Sequence, residues 1–401
     1  MNKTVVLAFS GGLDTSFCVP YLIEQGYKVV TAFVDSGGVS DEEKMAIKNR
    51  AVELGASEHR EINIADALWD DVVVPLIHGS HWYQDQYPLL CSDRYLIVAA
   101  CLKLCDELGT TKFAHGCTGM GNDQIRFDLT VKCLGDYEVL SPIREIQRQD
   151  ILVREYEMEY LEDRGFTVPG KASSYSINEN LLGTTISGSE VDQWLQPSAE
   201  TYSLTSPQKD WPQQPMLLNI TFKNGEAIAL DGKKMKGAKI LADLNQSLGR
   251  YGVGRGVYTG DTTVGLKGRI VFEAPAIEAL KIAHRALEET VCSKAQNRFK
   301  STVAMKWTEL VYEGLFHDPL KADLEAYLTS SQQSVNGDVT LEISGGRALA
   351  VEVSSEQMLV NKQAIYAQSS DWTVDEAQGF IKLFGQSSTL SSAVKRAQKN
   401  A

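Results

Sequence analysis

The sequence lacks three features that would have assigned it to other classes of protein. No apolar run approaches the ~18 residues of a membrane-spanning helix, so we expect no membrane partner. Cations are too few for a nucleic-acid partner, because the formal net charge is −13. A strand is predicted almost from the first residue, so we expect no signal peptide and a cytoplasmic location.

Cysteine is also sparse, with seven residues scattered along the chain. An odd, dispersed set is typical of reduced thiols rather than of a disulfide framework. Cys101 and Cys105 stand one helical turn apart without a second pair at zinc spacing, so we interpret them as packing residues. His78 and His81 flank a Gly-Ser pair that favours a loop, and we expect surface histidines rather than a metal pair.

The 401 residues are enough for two or three domains. Strand and helix patterns alternate over the first part, which predicts an α/β fold with a doubly wound parallel sheet. Proline, serine and glycine become frequent after Phe166. We therefore predict a nucleotide-binding domain over 1–168, an α+β domain over 169–365 and a tail over 366–401. One long charged helix is predicted over 147–164, with a solvated acidic face.

The first motif is Ser10-Gly11-Gly12-Leu13-Asp14-Thr15-Ser16, between an apolar strand and the start of a helix. Glycines let the backbone approach a phosphate, and the free N–H groups of the first helical turn point at it. The loop has no lysine and so is not the Gly-Lys-Ser/Thr phosphate loop. A plain turn is the alternative, but the hydroxyls and the acid around the glycines weigh against it.

The second motif, 115–128, follows the predicted strand 111–114 and contains three glycines. Asn122 and Asp123 could receive an ammonium group, while Thr118 and the helix N-terminus could receive a carboxylate. Arg126 could fork onto a second carboxylate. A purely structural role remains open on these residues alone. Ligands of such sheets bind at the carboxyl ends of the strands, so we expect both motifs to converge on a nucleotide and an amino acid.

The two motifs carry a resemblance to a known family. The first resembles the ATP pyrophosphatases, and its Leu-Asp-Thr-Ser ending resembles argininosuccinate synthases. The second resembles that family's His-Gly-Ala-Thr-Gly-Lys-Gly-Asn-Asp-Gln-Val-Arg-Phe-Glu, with departures at Cys117, Met120, Ile125 and Asp128. The resemblance runs from Val5 to about Phe384. It implies an ATP-pyrophosphatase-type sheet, then a synthetase domain and a C-terminal helix.

The resemblance implies a reaction of arginine biosynthesis. The ureido oxygen of citrulline attacks the α-phosphorus of ATP, and pyrophosphate leaves. The α-amine of aspartate then attacks the ureido carbon of the citrullyl-adenylate and expels AMP. The implied chemistry uses Mg²⁺ on the pyrophosphate and no covalent intermediate with the protein. A homotetramer is also implied, with the C-terminal helix reaching a neighbouring subunit.

Matching positions give the site residues that the resemblance implies. The ATP contacts are Ala8, Phe9, Ser10, Gly11, Gly12, Leu13, Asp14, Thr15, Ser16, Val34 and Gly116. The aspartate contacts are Thr118, Asn122 and Asp123. The citrulline contacts are Tyr87, Ser92, Asn122, Arg126, Ser176, Thr185, Gly260 and Phe272. Asp14, Asn122, Asp123 and Arg126 position the reactants, and no metal is held by protein side chains alone.

The departures from the family cluster at the citrulline positions. Thr185 replaces a serine, Gly260 a glutamate and Phe272 a tyrosine, and Leu-Cys replaces Gly-Thr before Ser92. One hypothesis is an N-acetyl- or N-succinylcitrulline substrate, with Gly260 making room for the acyl group. The alternative is that Asp261 or Glu273 serves ordinary citrulline. Another ATP pyrophosphatase and a non-catalytic nucleotide-binding regulator are the competing functions.

Overall fold

A computed structural model describes residues 3–149, 151–168 and 175–399. Contacts divide the chain into two units, Met1–Met358 and Leu359–Ala401. The first unit begins with a parallel sheet in the order β3-β2-β1-β4-β5. Its strands are β1 Thr4–Ala8, β2 Lys28–Asp35, β3 Glu58–Asn63, β4 Lys112–Ala114 and β5 Glu138–Leu140.

Helices cover both faces of this sheet. They are α1 Leu13–Glu24, α2 Asp41–Glu53, α5 Asp93–Glu107, α6 Asp123–Leu134, α7 Pro142–Gln147 and α8 Val153–Asp163. The short helices α3 Ala65–Leu68 and α4 Val74–Gly79 pack instead into a core shared with the later part of the chain. Side chains of β1 alternate between two cores. Val5 and Leu7 pack with Phe17 of α1, whereas Val6 packs with Val98 of α5. Burial on both faces explains the nearly continuous apolar run of β1. The predicted doubly wound α/β sheet is confirmed.

The strand order reverses beside β1, and this reversal places the site. Strands β2 and β4 flank β1, so the loops that leave β1 and β4 open toward the same edge of the sheet. The cleft between such loops is the usual ligand position in doubly wound sheets. Both glycine-rich motifs occupy these two loops.

Two antiparallel sheets follow in the same unit, in the orders β11-β12-β7-β6 and β10-β9-β8-β13-β14. Their strands are β6 Tyr175–Asn180, β7 Gly183–Gly188, β8 Met216–Lys223, β9 Glu226–Leu230, β10 Lys233–Lys234, β11 Arg255–Asp261, β12 Lys267–Glu273, β13 Gly337–Ser344 and β14 Arg347–Ser354. The helices are α9 Ser189–Asp192, α10 Gly237–Gly249, α11 Pro275–Val291, α12 Lys294–Glu313 and α13 Pro319–Ser331. One core joins this part to the first, and Tyr95 of α5 stacks on Phe316 at 4.4 Å.

The second unit contains α14 Val374–Phe384 and α15 Gln386–Lys399. No residue of either helix is buried within the part that the structure describes. Phe380, Ile381, Leu383 and Phe384 are all more than 60% exposed, so this unit carries apolar surface without a cover of its own. None of the described helices combines the length and the apolar character that crossing a membrane requires.

Local signals located one helix start correctly and another incorrectly. Ser40 and Glu43 form the predicted capping box at α2. The helix predicted over 147–164 is confirmed as α8, but its predicted start is wrong, because α7 ends at Gln147 and α8 begins only at Val153. Its acidic face is not fully solvated either. Glu157 is completely buried, because α8 turns that position toward α1.

The expectation of surface histidines is wrong for His78. This side chain is 5% exposed and stacks on His284, with the ring centroids 6.1 Å apart. Burial lowers the pKa of His78 to about 3, and of His284 likewise, so both rings are neutral at pH 7. His78 lies in α4, after the five-residue π-helical segment Trp69–Val73, and this helix packs into the core.

Candidate functional site

The loop after β1 builds its shape from its own hydroxyl groups. The hydroxyls of Ser10 and Thr15 lie 3.2 Å apart, and that of Ser16 donates to the Gly11 carbonyl at 3.3 Å. Gly12 caps α1 without a side-chain acceptor for the first N–H groups. These N–H groups therefore remain for an anion at the positive end of the helix.

The loop after β4 lies directly against this turn. A Cβ atom placed on Gly116 would lie 3.1 Å from Cγ2 of Thr15 and 3.3 Å from Cβ of Asp14. The two motifs, about a hundred residues apart in the chain, therefore meet at van der Waals distance. Only glycine at position 116 permits so close an approach without displacing a neighbour.

A cluster of ion-paired and hydrogen-bonded side chains fixes the conformation of the second loop. The ring of His115 accepts from the Cys117 N–H at 3.1 Å and contacts Asp128 at 3.0 Å. Arg144 donates to Asp128 at 2.7 Å. Burial raises the pKa of Asp128, but hydrogen bonds from His115 and Arg144 outweigh it and lower that pKa to about 2. Gln147 adds a bond from the Gly119 N–H at 2.6 Å.

The N-terminus of α6 carries the polar residues predicted for an amino acid. Asp123 accepts from Arg94 at 3.2 Å and from Arg126 at 2.7 Å. Burial raises the pKa of Asp123, but the charges of both arginines outweigh it and hold that pKa below its usual value. Asp123 is therefore ionised at pH 7 and suits an ammonium group. Asn122 contacts the hydroxyl of Tyr312 at 3.3 Å.

Arg126 is more committed to the protein than the sequence indicated. It is 3% exposed, and two of its donors bond the carbonyl of Tyr312 at 3.1 and 2.8 Å. This carbonyl belongs to α12, so the guanidinium joins the nucleotide-binding sheet to the following part of the chain. Sequence reasoning missed Tyr312 and Arg94. Arg94 stands beside the Ser-Asp start of α5, whereas no local signal marks Tyr312.

Four of the predicted citrulline positions meet through aromatic rings. Tyr87 is 2% exposed, and its ring lies 5.9 Å from Phe272, 5.5 Å from Tyr258 and 6.0 Å from Tyr312. Tyr258 adjoins Gly260, and Tyr312 adjoins Asn122. This cluster therefore gathers the predicted positions 87, 122, 260 and 272.

The other citrulline positions are placed differently. Thr185 pairs with Phe272 in the sheet register, and Ser176 pairs with Ser187 on the edge strand β6. The hydroxyl of Ser92 donates to the Leu89 carbonyl at 2.7 Å instead of capping α5.

Gly260 opens no free space beside the site. A Cβ atom there would lie 2.4 Å from Oε1 of Gln84 and 2.5 Å from the hydroxyl of Tyr258. The Gln84 oxygen is itself hydrogen-bonded, because the Tyr258 hydroxyl donates to it at 3.0 Å. The hypothesis that this glycine makes room for an acyl group has no support in this arrangement.

Glu273 and Asp261, the two acids considered in place of the missing glutamate, differ in the groups that already occupy their carboxylates. Glu273 is fully buried and accepts from the backbone N–H groups of Ser203, Leu204 and Thr205 at 2.8–2.9 Å. Its carboxylate is therefore already used to fold that segment. Asp261 is paired with Lys267, whose hydrogen bond lowers the pKa of Asp261.

Position 34 and the loop after β2 complete the surroundings. Val34 is buried at the end of β2, and Asp35 accepts from the Gly37 N–H at 2.8 Å. Gly38 has a φ of 94°, and a Cβ there would lie 3.1 Å from the Asn180 carbonyl oxygen. The loop thus packs against the β6–β7 turn, which only glycine allows. No group of three or more His, Cys, Asp or Glu suited to a metal occurs among the described residues.

Comparison with known proteins decides the family. The model of the arginosuccinate synthase N-terminal HUP domain matches residues 4–167, and that of the arginosuccinate synthase C-terminal domain matches residues 175–391. The chain belongs to the argininosuccinate synthase family. In this argininosuccinate synthase family member, the parallel sheet and the two loops described above lie within the part that matches the HUP-domain model.

Relatives named argininosuccinate synthase match over nearly the full length of this chain and of their own. The argininosuccinate synthase of Xanthomonas campestris pv. campestris is 59% identical over 98% of this chain and 100% of its own. That of Xylella fastidiosa is 56% identical over 100% of both chains. The Pyrococcus furiosus protein, also an argininosuccinate synthase, is 38% identical over 96% of this chain and 94% of its own.

Proposed function

We propose that this chain is a ligase that joins L-citrulline to L-aspartate at the expense of ATP, giving argininosuccinate, AMP and pyrophosphate. The observation that carries the proposal is the contact of Gly116 with Asp14 and Thr15, which unites the two motifs of the family in one cleft. A nucleotide-binding regulator would not need the ionised Asp123 and its arginines beside that cleft.

The site residues have defined tasks in this proposal. The N–H groups of the first turn of α1 and the hydroxyls of Ser10 and Thr15 hold the phosphates of ATP. Thr118, Asn122 and Asp123 hold aspartate, with its ammonium toward Asp123. The aromatic cluster around Tyr87 encloses citrulline. The other predicted contacts complete the ATP and citrulline subsites. For ATP they are Ala8, Phe9, Gly11, Gly12, Leu13, Asp14, Ser16, Val34 and Gly116. For citrulline they are Ser92, Arg126, Ser176, Thr185, Gly260 and Phe272.

The chemistry then needs positioning more than a protein nucleophile. The ureido oxygen of citrulline bonds to the α-phosphorus as the bond to pyrophosphate breaks. The α-amine of aspartate next bonds to the ureido carbon, loses a proton and expels AMP. Orienting the reactants supplies up to ~7–11 kcal/mol of such a barrier. Mg²⁺ bound to the ATP phosphates would neutralise the charge of the leaving pyrophosphate.

The ureido substrate is proposed to be free citrulline. The space next to Gly260 is filled by Gln84 and Tyr258, so this glycine leaves no room for an acyl group at its own position. We further propose a homotetramer, in which the exposed apolar helix α14 contacts a neighbouring subunit, and a cytoplasmic location in arginine biosynthesis. The domain limits 1–168, 169–365 and 366–401 stay predictions.

Pyrophosphate release tests this function. The purified chain is incubated with MgATP, aspartate and one ureido compound: citrulline, N-acetylcitrulline or N-succinylcitrulline. We expect release only when aspartate and citrulline are both present, with AMP and argininosuccinate formed in equal amounts. Release that is independent of either amino acid contradicts the ligase, and a preference for an acylated compound contradicts the substrate.

A further inference from the structure

A buried acid lies behind the phosphate-binding turn and has no task in the reaction above. Glu157 is 0% exposed and shares the inner face of α8 with Tyr160 and Leu161. Its neighbours in the chain, Glu155 and Glu159, are exposed. Neither carboxyl oxygen of Glu157 has a conventional donor among the described residues. Buried carboxyl groups without a hydrogen-bond donor are rare in native proteins, so this one requires a structural explanation.

The packing of α8 on α1 supplies the explanation. The ring of Phe17 lies 6.0 Å from that of Tyr156 and 4.8 Å from that of Tyr160. Farther along both helices Arg164 donates to Glu24 at 2.7 Å, so α1 and α8 run in the same direction. Glu157, one turn before Tyr160, therefore lies on the side of α8 that faces Asp14, one turn before Phe17. Two carboxylates repel each other, so a bond between them requires a proton on one.

The charges around the pair favour a shared proton. Burial raises the pKa of Glu157 to about 9, and the charge of Asp14 adds to the effect. Arg154 of α8 opposes the shift without cancelling it. Cys18 of α1 also lies at this contact, where burial raises the pKa of its thiol and keeps it protonated, and Glu145 of α7 adds a further negative charge beside Cys18. Glu157 is therefore the protonated partner at neutral pH.

The position of Asp14 gives this proton a consequence for ligand binding. Asp14 stands in the first turn of α1, whose N–H groups face the proposed phosphates, and its Cβ borders Gly116. We propose that Glu157 is a positioning residue whose carboxylic acid donates a hydrogen bond to the Asp14 carboxylate and thereby holds the phosphate-binding turn against the second loop. The inference rests on the proposed function for the identity of the ligand, but not for the proton itself.

Two substitutions of similar volume separate the hydrogen bond from simple packing. Glu157→Gln keeps a neutral donor, whereas Glu157→Met fills the space without one. Glu159→Gln on the exposed face of the same helix is the matched control. The measurement is kcat and KM for ATP between pH 6 and 10, at saturating citrulline and aspartate.

We expect wild-type kcat/KM for ATP to fall above about pH 9, as Glu157 ionises beside Asp14. Glu157→Gln keeps most of the activity and loses that alkaline decline. Glu157→Met raises the KM for ATP about tenfold at neutral pH, because a hydrogen bond to a charged group is lost. The same alkaline decline in the glutamine variant, or wild-type KM in the methionine variant, overturns the proposal.

A measurement without ligand distinguishes this inference from the proposed function. The folded pKa of Glu157 lies above its unfolded value of 4.5, so its stabilising effect is present below pH 4.5 and is lost as the pH rises toward 9. Glu157→Gln should therefore unfold at increasingly higher denaturant concentration than the wild type as the pH is raised from 5 to 9. A constant difference refutes the shared proton. A growing difference in a chain without ligase activity supports the proton and refutes the proposed function instead.

Discussion

Replacing Gly116 by alanine tests the convergence of the two loops, on which the proposed site depends. The new methyl group would lie 3.1 Å from Thr15 Cγ2, inside the 3.4–4 Å of ordinary contact. Thr15 cannot rotate away freely, because its hydroxyl bonds the Gly12 carbonyl and contacts Ser10. The loops must therefore separate by a few tenths of an ångström.

The size of the effect follows from the cost of overpacking. Extra atoms in a well-packed contact cost about 1–3 kcal/mol. If this cost falls on the transition state, kcat/KM for ATP drops about 5- to 160-fold, since 1.36 kcal/mol is tenfold. The assay is pyrophosphate release with citrulline and aspartate saturating, together with the melting temperature of each variant.

The comparison variant is Gly121→Ala in the same loop, whose methyl group would meet only Thr118 Oγ1 at 3.8 Å. We expect it to lose far less activity than Gly116→Ala. Equal losses in both variants, or a Gly116→Ala enzyme with wild-type kcat/KM, would refute the steric reasoning. A lowered melting temperature with unchanged kcat/KM would assign the contact to stability rather than to the site.

Three further predictions follow from the ion pairs, the citrulline subsite and the tail. Asp128→Asn should raise the pH at which the protein unfolds in acid, because the lowered pKa of Asp128 contributes stability above pH 3.8 that is lost as the pH falls toward 2; thermal melts from pH 2 to 6 measure this. Gly260→Ala should raise the KM for citrulline, and adding Gln84→Ala should restore it in part; a double variant no better than the single one contradicts the steric account. A chain ending at 365 should form an assembly of fewer subunits than the full chain in analytical ultracentrifugation, since the exposed apolar face of α14 is lost. An unchanged number of subunits contradicts the proposed role of α14.

Local chemistry made the first domain readable from sequence. The capping box at Ser40 and the glycines of both loops act over a few residues, so the pattern alone locates them. Parallel pairing then determines that the two loops share an edge, because β2 and β4 flank β1. The convergence of the motifs therefore follows from a simple rule about strand ends.

Contacts between residues far apart in the chain could not be predicted from local sequence patterns. Tyr312 accepts from Arg126 across 186 residues, and nothing near either residue indicates it. Gln84 fills the space beside Gly260 although the two lie far apart in the chain. The burial of Glu157 could have been predicted, since this residue falls at helical spacing from Tyr160 and Leu161. The signal was an acidic residue on the apolar face of a helix. The exposed acids on either side of Glu157 made the whole segment resemble a solvated face instead.

The bond from Arg126 to the Tyr312 carbonyl limits how this chain can be divided. A gene fragment that stops after the parallel sheet would encode the buried guanidinium of Arg126 without the carbonyl that accepts its hydrogen bonds. Such a fragment would need its missing helix supplied from elsewhere before it could form the proposed amino-acid site. Swapping the nucleotide-binding half between relatives should therefore succeed only when the helix that bears residue 312 travels with it.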